Sequence, residues 1–182
     1  MRIPPDVGLL SSGESEIRSQ IELTYVVSKG KVNPRKGGVM RFSKTEFGYI
    51  ARLEPGEEIV SSLSSFAKAQ GFASATIQGI GAATELTIGY FERVKRNYVK
   101  RLLVGEYEVL SLSGTISSFE GNPWVHAHIV ISDPEFEVMG GHLFSGKVTV
   151  TIELSLTVSQ KRIERKEDAE SGFKYMDLEE SA

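Results

Sequence analysis

Val125-His126-Ala127-His128-Ile129-Val130-Ile131-Ser132, followed by Asp133-Pro134-Glu135 and the returning run Phe136 to Phe144, is the stretch on which the reading of this chain turns. The first run is rich in β-branched residues, and Asp-Pro-Glu is a turn signal, so the segment reads as a β-hairpin. Side chains alternate along a strand with period two, which puts His126 and His128 on one face. A hairpin centred on Pro134 sets His126 opposite His142 and His128 opposite Gly140. Opposed β-carbons are about 5 Å apart and diagonal neighbours roughly 7 to 8 Å, close enough for three imidazoles to meet one ion. A slip of one residue would send His142 to the other face. Gly140-Gly141 also leaves room for a bulge beside it.

His126, His128 and His142 are the only histidines, and the chain has no cysteine. Three neutral imidazoles without a thiolate suit zinc best, with copper, nickel or iron as alternatives. Three protein ligands leave a fourth position for water, a small molecule or an anion. The competing reading is of ordinary strand histidines held by hydrogen bonds.

Outward from the hairpin, Phe47 to Leu53 reads as a strand and Glu54-Pro55-Gly56 as a turn into a helix from Glu57 to Gln70. There Ile59, Leu63, Phe66 and Ala67 recur at helical spacing, acids occupy the first turn, and Gly71 stops the helix. Beyond Gly71 come short β-rich runs: Ala73 to Gln78, Leu86 to Glu92, Tyr98 to Val104, Tyr107 to Ser117, the two histidine strands and Lys147 to Gln160. In the last run Val148, Val150, Ile152, Leu154, Leu156 and Val158 alternate with polar residues. One strand–helix unit followed by antiparallel strands makes a single α+β domain, a largely antiparallel sheet packed with a helix.

The flanks are different in kind. Residues 1–39 show weak periodicity broken by Pro4-Pro5, Ser11-Ser12-Gly13 and Gly37-Gly38, and are expected to form a mobile extension. The regular domain spans 40–160, and Met40 at its edge is an alternative start to Met1. Residues 161–182 are a charged tail in which the run Glu164 to Glu170 is charged on all sides and broken by Ser171-Gly172, and a solvated helix or a disordered acidic tail is expected there.

With 182 residues, 40% of them hydrophobic, the chain can bury a real core. Met1 to Glu16 has no basic stretch leading into an apolar one, and no run approaches a membrane span, so a cytoplasmic protein without membrane insertion is expected. The net charge of −3 argues mildly against a dedicated nucleic-acid binder. Two basic clusters could nevertheless touch phosphate: Arg93, Lys95, Arg96, Lys100 and Arg101, with Tyr98 among them, and Lys29, Lys31, Arg35, Lys36, Arg41 and Lys44. A solvated hairpin tip and a flexible arm are the commoner explanations of such runs.

Several segments in fixed order carry a family resemblance: Gly79-Ile80-Gly81-Ala82, Gly89-Tyr90-Phe91, Tyr107-Glu108-Val109-Leu110-Ser111-Leu112-Ser113-Gly114, Pro123-Trp124-Val125-His126-Ala127-His128, Gly140-Gly141-His142-Leu143 with Gly146, and Glu153. Between Met40 and Val158 the chain resembles the plants-and-prokaryotes-conserved, or PPC, domain of the stand-alone prokaryotic type. The resemblance implies an α+β fold assembled as a homotrimer, with zinc on His126, His128 and His142. Plant relatives carry Arg-Gly-Arg-Pro AT-hooks that enter the minor groove of DNA, and that tetrapeptide is absent here.

Three functions follow as expectations. The first is a homotrimeric metal-binding domain with an open position for a small molecule or anion. The second is a DNA-associated protein using the Arg93 to Arg101 cluster. The third is a zinc-dependent hydrolase or lyase with Glu153 as proton carrier. Gly79-Ile80-Gly81 lacks the following helix of a phosphate-binding loop and is read as a tight turn. Asp133 and Glu135 are read as turn residues, and Trp124 as packing or lining the pocket. A cupin-type site is disfavoured because His142 follows His128 too closely.

Overall fold

The computed structural model describes residues 39–178. The extension expected over residues 1–39 and the question of a start at Met1 or Met40 therefore lie almost wholly outside the described residues. So do Lys29, Lys31, Arg35 and Lys36 of the second basic cluster.

Nine strands and one helix make up the described chain: β1 (Arg41–Thr45), β2 (Gly48–Leu53), α1 (Ile59–Gln70), β3 (Ala75–Glu92), β4 (Asn97–Leu103), β5 (Tyr107–Phe119), β6 (Asn122–Ser132), β7 (Val138–Val158), β8 (Arg165–Glu167) and β9 (Lys174–Met176). The first seven strands form one antiparallel sheet in the order β1-β2-β7-β6-β5-β3-β4, and a further β7–β3 pairing closes β3, β5, β6 and β7 into a ring. Among the described residues helix content is low for the expected α+β label: they form mostly antiparallel sheet with a single twelve-residue helix.

The helix forms where its apolar spacing predicts. Its start differs by two residues, because Glu58 lies outside the first turn as N-cap, its carboxylate accepting the backbone N–H groups of Val60 and Ser61. Gly71, at φ 73°, ends it in the left-handed conformation. Ile59, Leu63, Phe66 and Ala67 are buried and face the core. Inward side chains of the ring, among them Ile77, Leu86, Leu112, Ile129, Ile131 and Ile152, are almost completely buried. With full burial of each large aliphatic side chain contributing about 1.5 to 3 kcal/mol, this interior is the main source of stability.

Two pairs of runs read as separate strands are single elements. Ala73 to Gln78 and Leu86 to Glu92 join as β3, whose glycine segment is a bulge between Gly79 and Gly81 where a turn was expected. At Gly81, φ is 154° and a Cβ would come within 2.1 Å of the Thr151 carbonyl oxygen, so only glycine permits the close approach. The runs from Phe136 and Lys147 likewise join as β7, which bends through shifts of register against β3. Val150 falls in one of those shifts and is exposed, leaving the apolar face on which its alternation had placed it.

The tail also differs from expectation. Over Arg165–Glu167 and Lys174–Met176 it forms a short antiparallel hairpin, anchored by a parallel bridge between Ser118 and Glu164 and by Ser118 N–H donating to the Ile163 carbonyl at 2.8 Å. Arg165 is buried in it, its Nε donating to Ser117 Oγ at 2.6 Å. A run charged on all sides gives no local sign of such docking, which depends on contacts with β5.

Candidate metal centre

The turn after β6 sets the geometry of the histidines. Phe136 N–H donates to the Asp133 carbonyl and Asp133 N–H to that of Glu137, while Asp133 Oδ1 accepts the N–H groups of Glu135 and Glu137. Pro134 suits the second position of this turn, and Phe136, at φ 63°, takes the left-handed position that closes a three-residue hairpin loop. The loop is thus centred on Glu135, not Pro134. Pairing moves by two residues, so His128 lies opposite His142 and Val130 opposite Gly140. A shift of two keeps every side chain on its face, and the pairing runs through Gly140-Gly141 to β6 without a bulge.

All three imidazoles therefore converge on the outer face of the sheet. Ring centroids are 5.5 Å apart for His126 and His128, 5.1 Å for His126 and His142, and 5.4 Å for His128 and His142. One nitrogen from each ring lies within 4.8 Å of the others. Zinc–nitrogen bonds of about 2.0 to 2.1 Å at tetrahedral angles call for nitrogens roughly 3.4 Å apart, a closure within reach of small side-chain rotations. Nδ1 of His142 is buried without a hydrogen-bond partner, an orphan that a metal would satisfy.

The surroundings keep two of these rings neutral. Burial, then the charges of His126, His128 and Lys100, push His142 down to about 4. His126 is also lowered, by burial, Arg165 and His128. Neutral rings keep the lone pairs that a metal requires.

Aromatic packing fixes His142. Tyr98 lies 5.1 Å and Phe144 4.7 Å from its ring, centroid to centroid, and the two meet edge-on at 5.0 Å. Burial raises the Tyr98 hydroxyl above its ordinary value. Gly89, paired opposite His142, makes this packing possible: a Cβ there would come within 2.6 Å of the Phe144 ring and 3.2 Å of Tyr98. On the far side, Arg165 Nη2 lies 3.5 Å from His126 Nδ1, and Arg165 Nη1 donates to the Lys174 carbonyl at 2.6 Å.

The other candidate residues are dispersed. Glu153 is exposed on β7, opposite Arg52 and Ile80, and is not brought to the imidazoles. The row running from His128 through Ser113 and Gln78 to Ser155 crosses three strand spacings, about 14 Å along the sheet at ~4.8 Å each, and Glu153 lies two residues from Ser155 on β7. Arg93, Lys95 and Arg96 occupy the β3–β4 turn, where Lys95 pairs with Glu92 at 3.0 Å and Arg96 with Glu170 at 2.8 Å. Lys100 and Arg101 alternate on β4, so their side chains leave on opposite faces. Lys100 turns toward the site, its Nζ 4.0 Å from the centroid of the Phe144 ring. Trp124 packs edge-on against Phe119 at 5.5 Å.

Sequence reasoning missed Phe144 and Arg165 and noted Tyr98 only as a neighbour of basic residues. The spacing of Tyr98 and Lys100 on one strand face was a usable signal. Nothing local distinguished Arg165.

Known proteins place this architecture. The Plants and Prokaryotes Conserved domain matches residues 40–160. A plant- and prokaryote-conserved (PPC) protein of Pyrococcus horikoshii superposes with a TM-score of 0.67 at 34% identity, over 81% of this chain and 100% of that one. A metal-containing protein of Archaeoglobus fulgidus gives 0.66 at 35% identity, over 78% and 99%. A candidate DNA-binding protein of Bacteroides thetaiotaomicron gives 0.74 at 28% identity, over 77% and 98%. The chain is also 29% identical, over 128 residues, to the bifunctional protein GlmU of a Synechococcus strain; the match covers 69% of the chain but spans only 19% of that relative's length. Among the described residues no helix is long and apolar enough to cross a membrane. With the family match covering most of its length and agreeing with the fold, the chain belongs to the Plants and Prokaryotes Conserved domain family.

Proposed function

We propose that this protein is a metal-binding domain in which His126, His128 and His142 hold zinc, or a similar divalent ion, with a fourth position open to a small molecule or anion. The observation that carries this reading is the convergence of three imidazole nitrogens within 4.8 Å beside an unpartnered buried Nδ1. A metal-containing relative of the same fold supports it. Zinc so held would act as a Lewis acid toward whatever occupies the open position. Tyr98 and Phe144 hold His142 in place and keep water from one side of its ring.

Assembly as a homotrimer is part of the proposal. Ile80, Leu110 and Val130 are exposed large apolar side chains on strands of the central ring, and self-association would cover such surface. Light scattering on the full chain checks this, with a monomer mass against it.

The test of the metal site is metal content per chain in protein purified without a metal-affinity tag, beside His126→Ala and His142→Ala. About one zinc per chain, lost in both variants, is the expected result. No uptake by the folded wild type, even with zinc supplied, removes the reading.

A second reading, association with DNA, is favoured by the candidate DNA-binding relatives. Phosphate contacts make log affinity fall linearly with log salt. Weak binding that vanishes near physiological salt and ignores charge reversal at Arg93 and Arg101 dismisses it.

A further inference from the structure

Arg165 lies outside residues 40–160, in the hairpin of β8 and β9, yet its guanidinium reaches the histidine cluster. Only 9% of the residue is exposed. Its partners are all neutral: Ser117 Oγ at 2.6 Å, the Lys174 carbonyl at 2.6 Å and His126 Nδ1 at 3.5 Å. Among the described residues neither Arg165 nor Lys100 forms an ion pair with a carboxylate. An arginine so little exposed, with no counter-charge beside its guanidinium, is costly, and proteins ordinarily pair such a group. Here the missing negative charge has a place to come from.

Lys100 lies on the opposite flank, above Phe144, which itself packs on His142. The charged side chains acting on His126 and His142 are cations, Arg165 on one and Lys100 on the other. The long contact from Arg165 to His126 points the same way. A neutral imidazole has one lone pair, and if Nδ1 spends it on Arg165, the proton stays on Nε2. Were His126 to ligate a metal through Nε2, Nδ1 would carry the proton and could no longer accept from Arg165, leaving Nη2 free to hold an anion.

We propose that the site selects a ligand bearing an anionic carboxylate or phosphate group, bound at the open metal position and held by Arg165 from the C-terminal hairpin and Lys100 from β4. This deepens the metal-binding reading and rests on it. Arg165 is then a specificity residue contributed from outside the matched domain. Its planar fork suits two oxygens of one anionic group, whereas Lys100 supplies a point charge.

The test uses the full chain loaded with cobalt(II), whose visible spectrum reports the open position, titrated with inorganic phosphate, acetate and neutral acetamide. Wild type, Arg165→Gln, Arg165→Lys and Lys100→Gln are compared after circular dichroism has established folding. The expected result is equal cobalt loading in all four, with spectral response to phosphate and acetate and none to acetamide. The phosphate dissociation constant rises at least tenfold in Arg165→Gln and several-fold in Lys100→Gln, with partial recovery in Arg165→Lys. The stronger of phosphate and acetate identifies the anionic group. Acetamide binding as well as acetate, or phosphate affinity within twofold of wild type in both neutral variants, overturns the proposal. If Arg165→Gln does not fold, the exposed Lys100→Gln carries the comparison. If wild type loads no cobalt, the metal reading has failed by itself. Calorimetry with phosphate then decides on the anion: binding that depends on Arg165 or Lys100 sustains anion recognition by these two residues without the metal, and absence of binding ends that too.

Discussion

Acid should destabilise the metal-free chain through His142 as pH falls below about 6.5. The folded environment holds this imidazole at about 4, against 6.5 for an unperturbed histidine. Between those values the unfolded chain binds a proton that the folded chain refuses, so stability is full above about pH 6.5 and falls as pH drops toward 4. A gap of ~2.5 units at 1.36 kcal/mol per unit sets an upper bound of about 3.4 kcal/mol. The ring is only partly buried, and solvent screening reduces this to roughly 1.5 kcal/mol. His126, lowered by burial and by Arg165, adds in the same direction. Urea unfolding followed by Trp124 fluorescence, with a chelator present, measures the effect at pH 7.5, 6.5, 5.5 and 4.5. With urea slopes of about 1 to 3 kcal/mol per molar, the wild-type midpoint should fall by roughly 0.5 to 1.5 M over that range. His142→Gln, which cannot titrate, should show a clearly smaller fall. An equal fall in that variant, or a wild-type midpoint flat from pH 7.5 to 4.5, refutes the reasoning.

Zinc at a hundredfold excess over its dissociation constant should stabilise the wild type by about 2.7 kcal/mol and raise its Tm by roughly 5 to 10 °C, read by thermal scanning, with no rise in His126→Ala. Gly89→Val forces a side chain against Phe144 and Tyr98; overpacking should cost about 1 to 3 kcal/mol in chemical unfolding and weaken zinc binding by displacing His142. Asp133→Ala removes the acceptor of the Glu135 and Glu137 N–H groups; a loss of about 1 kcal/mol in urea unfolding is expected, with zinc stoichiometry unchanged because Pro134 and the backbone hydrogen bonds of the turn remain.

The histidine strands were legible because their signals are local. β-Branched residues, a proline turn and a period of two identify a hairpin and a shared face wherever the chain carries them. The precise pairing was not, because it depends on the turn conformation. Phe136 in the left-handed region lengthens the loop by one residue on its far side and moves His128 opposite His142. The site survived this difference because a shift of two preserves the face. Strand continuity was harder to read. The glycines of β3 look like a turn in sequence, and only pairing with β5 and β7 on either side makes them a bulge within one strand.

The sequence by itself determined the helix, the sheet-rich character of the domain, the three candidate ligands and the face they share, since each rests on the periodicity and chemistry of neighbouring residues. Only the tertiary structure decided which cations border those imidazoles. Arg165 is 39 residues from His126 along the chain and Lys100 is 42 from His142, and each reaches the site because hydrogen bonding between distant strands brings it there. The same long-range pairing put two strands, β5 and β3, between His128 and the part of β7 that carries Glu153. Proximity across a sheet is set by pairing of strands far apart in sequence, which leaves no mark on the residues beside any one of them.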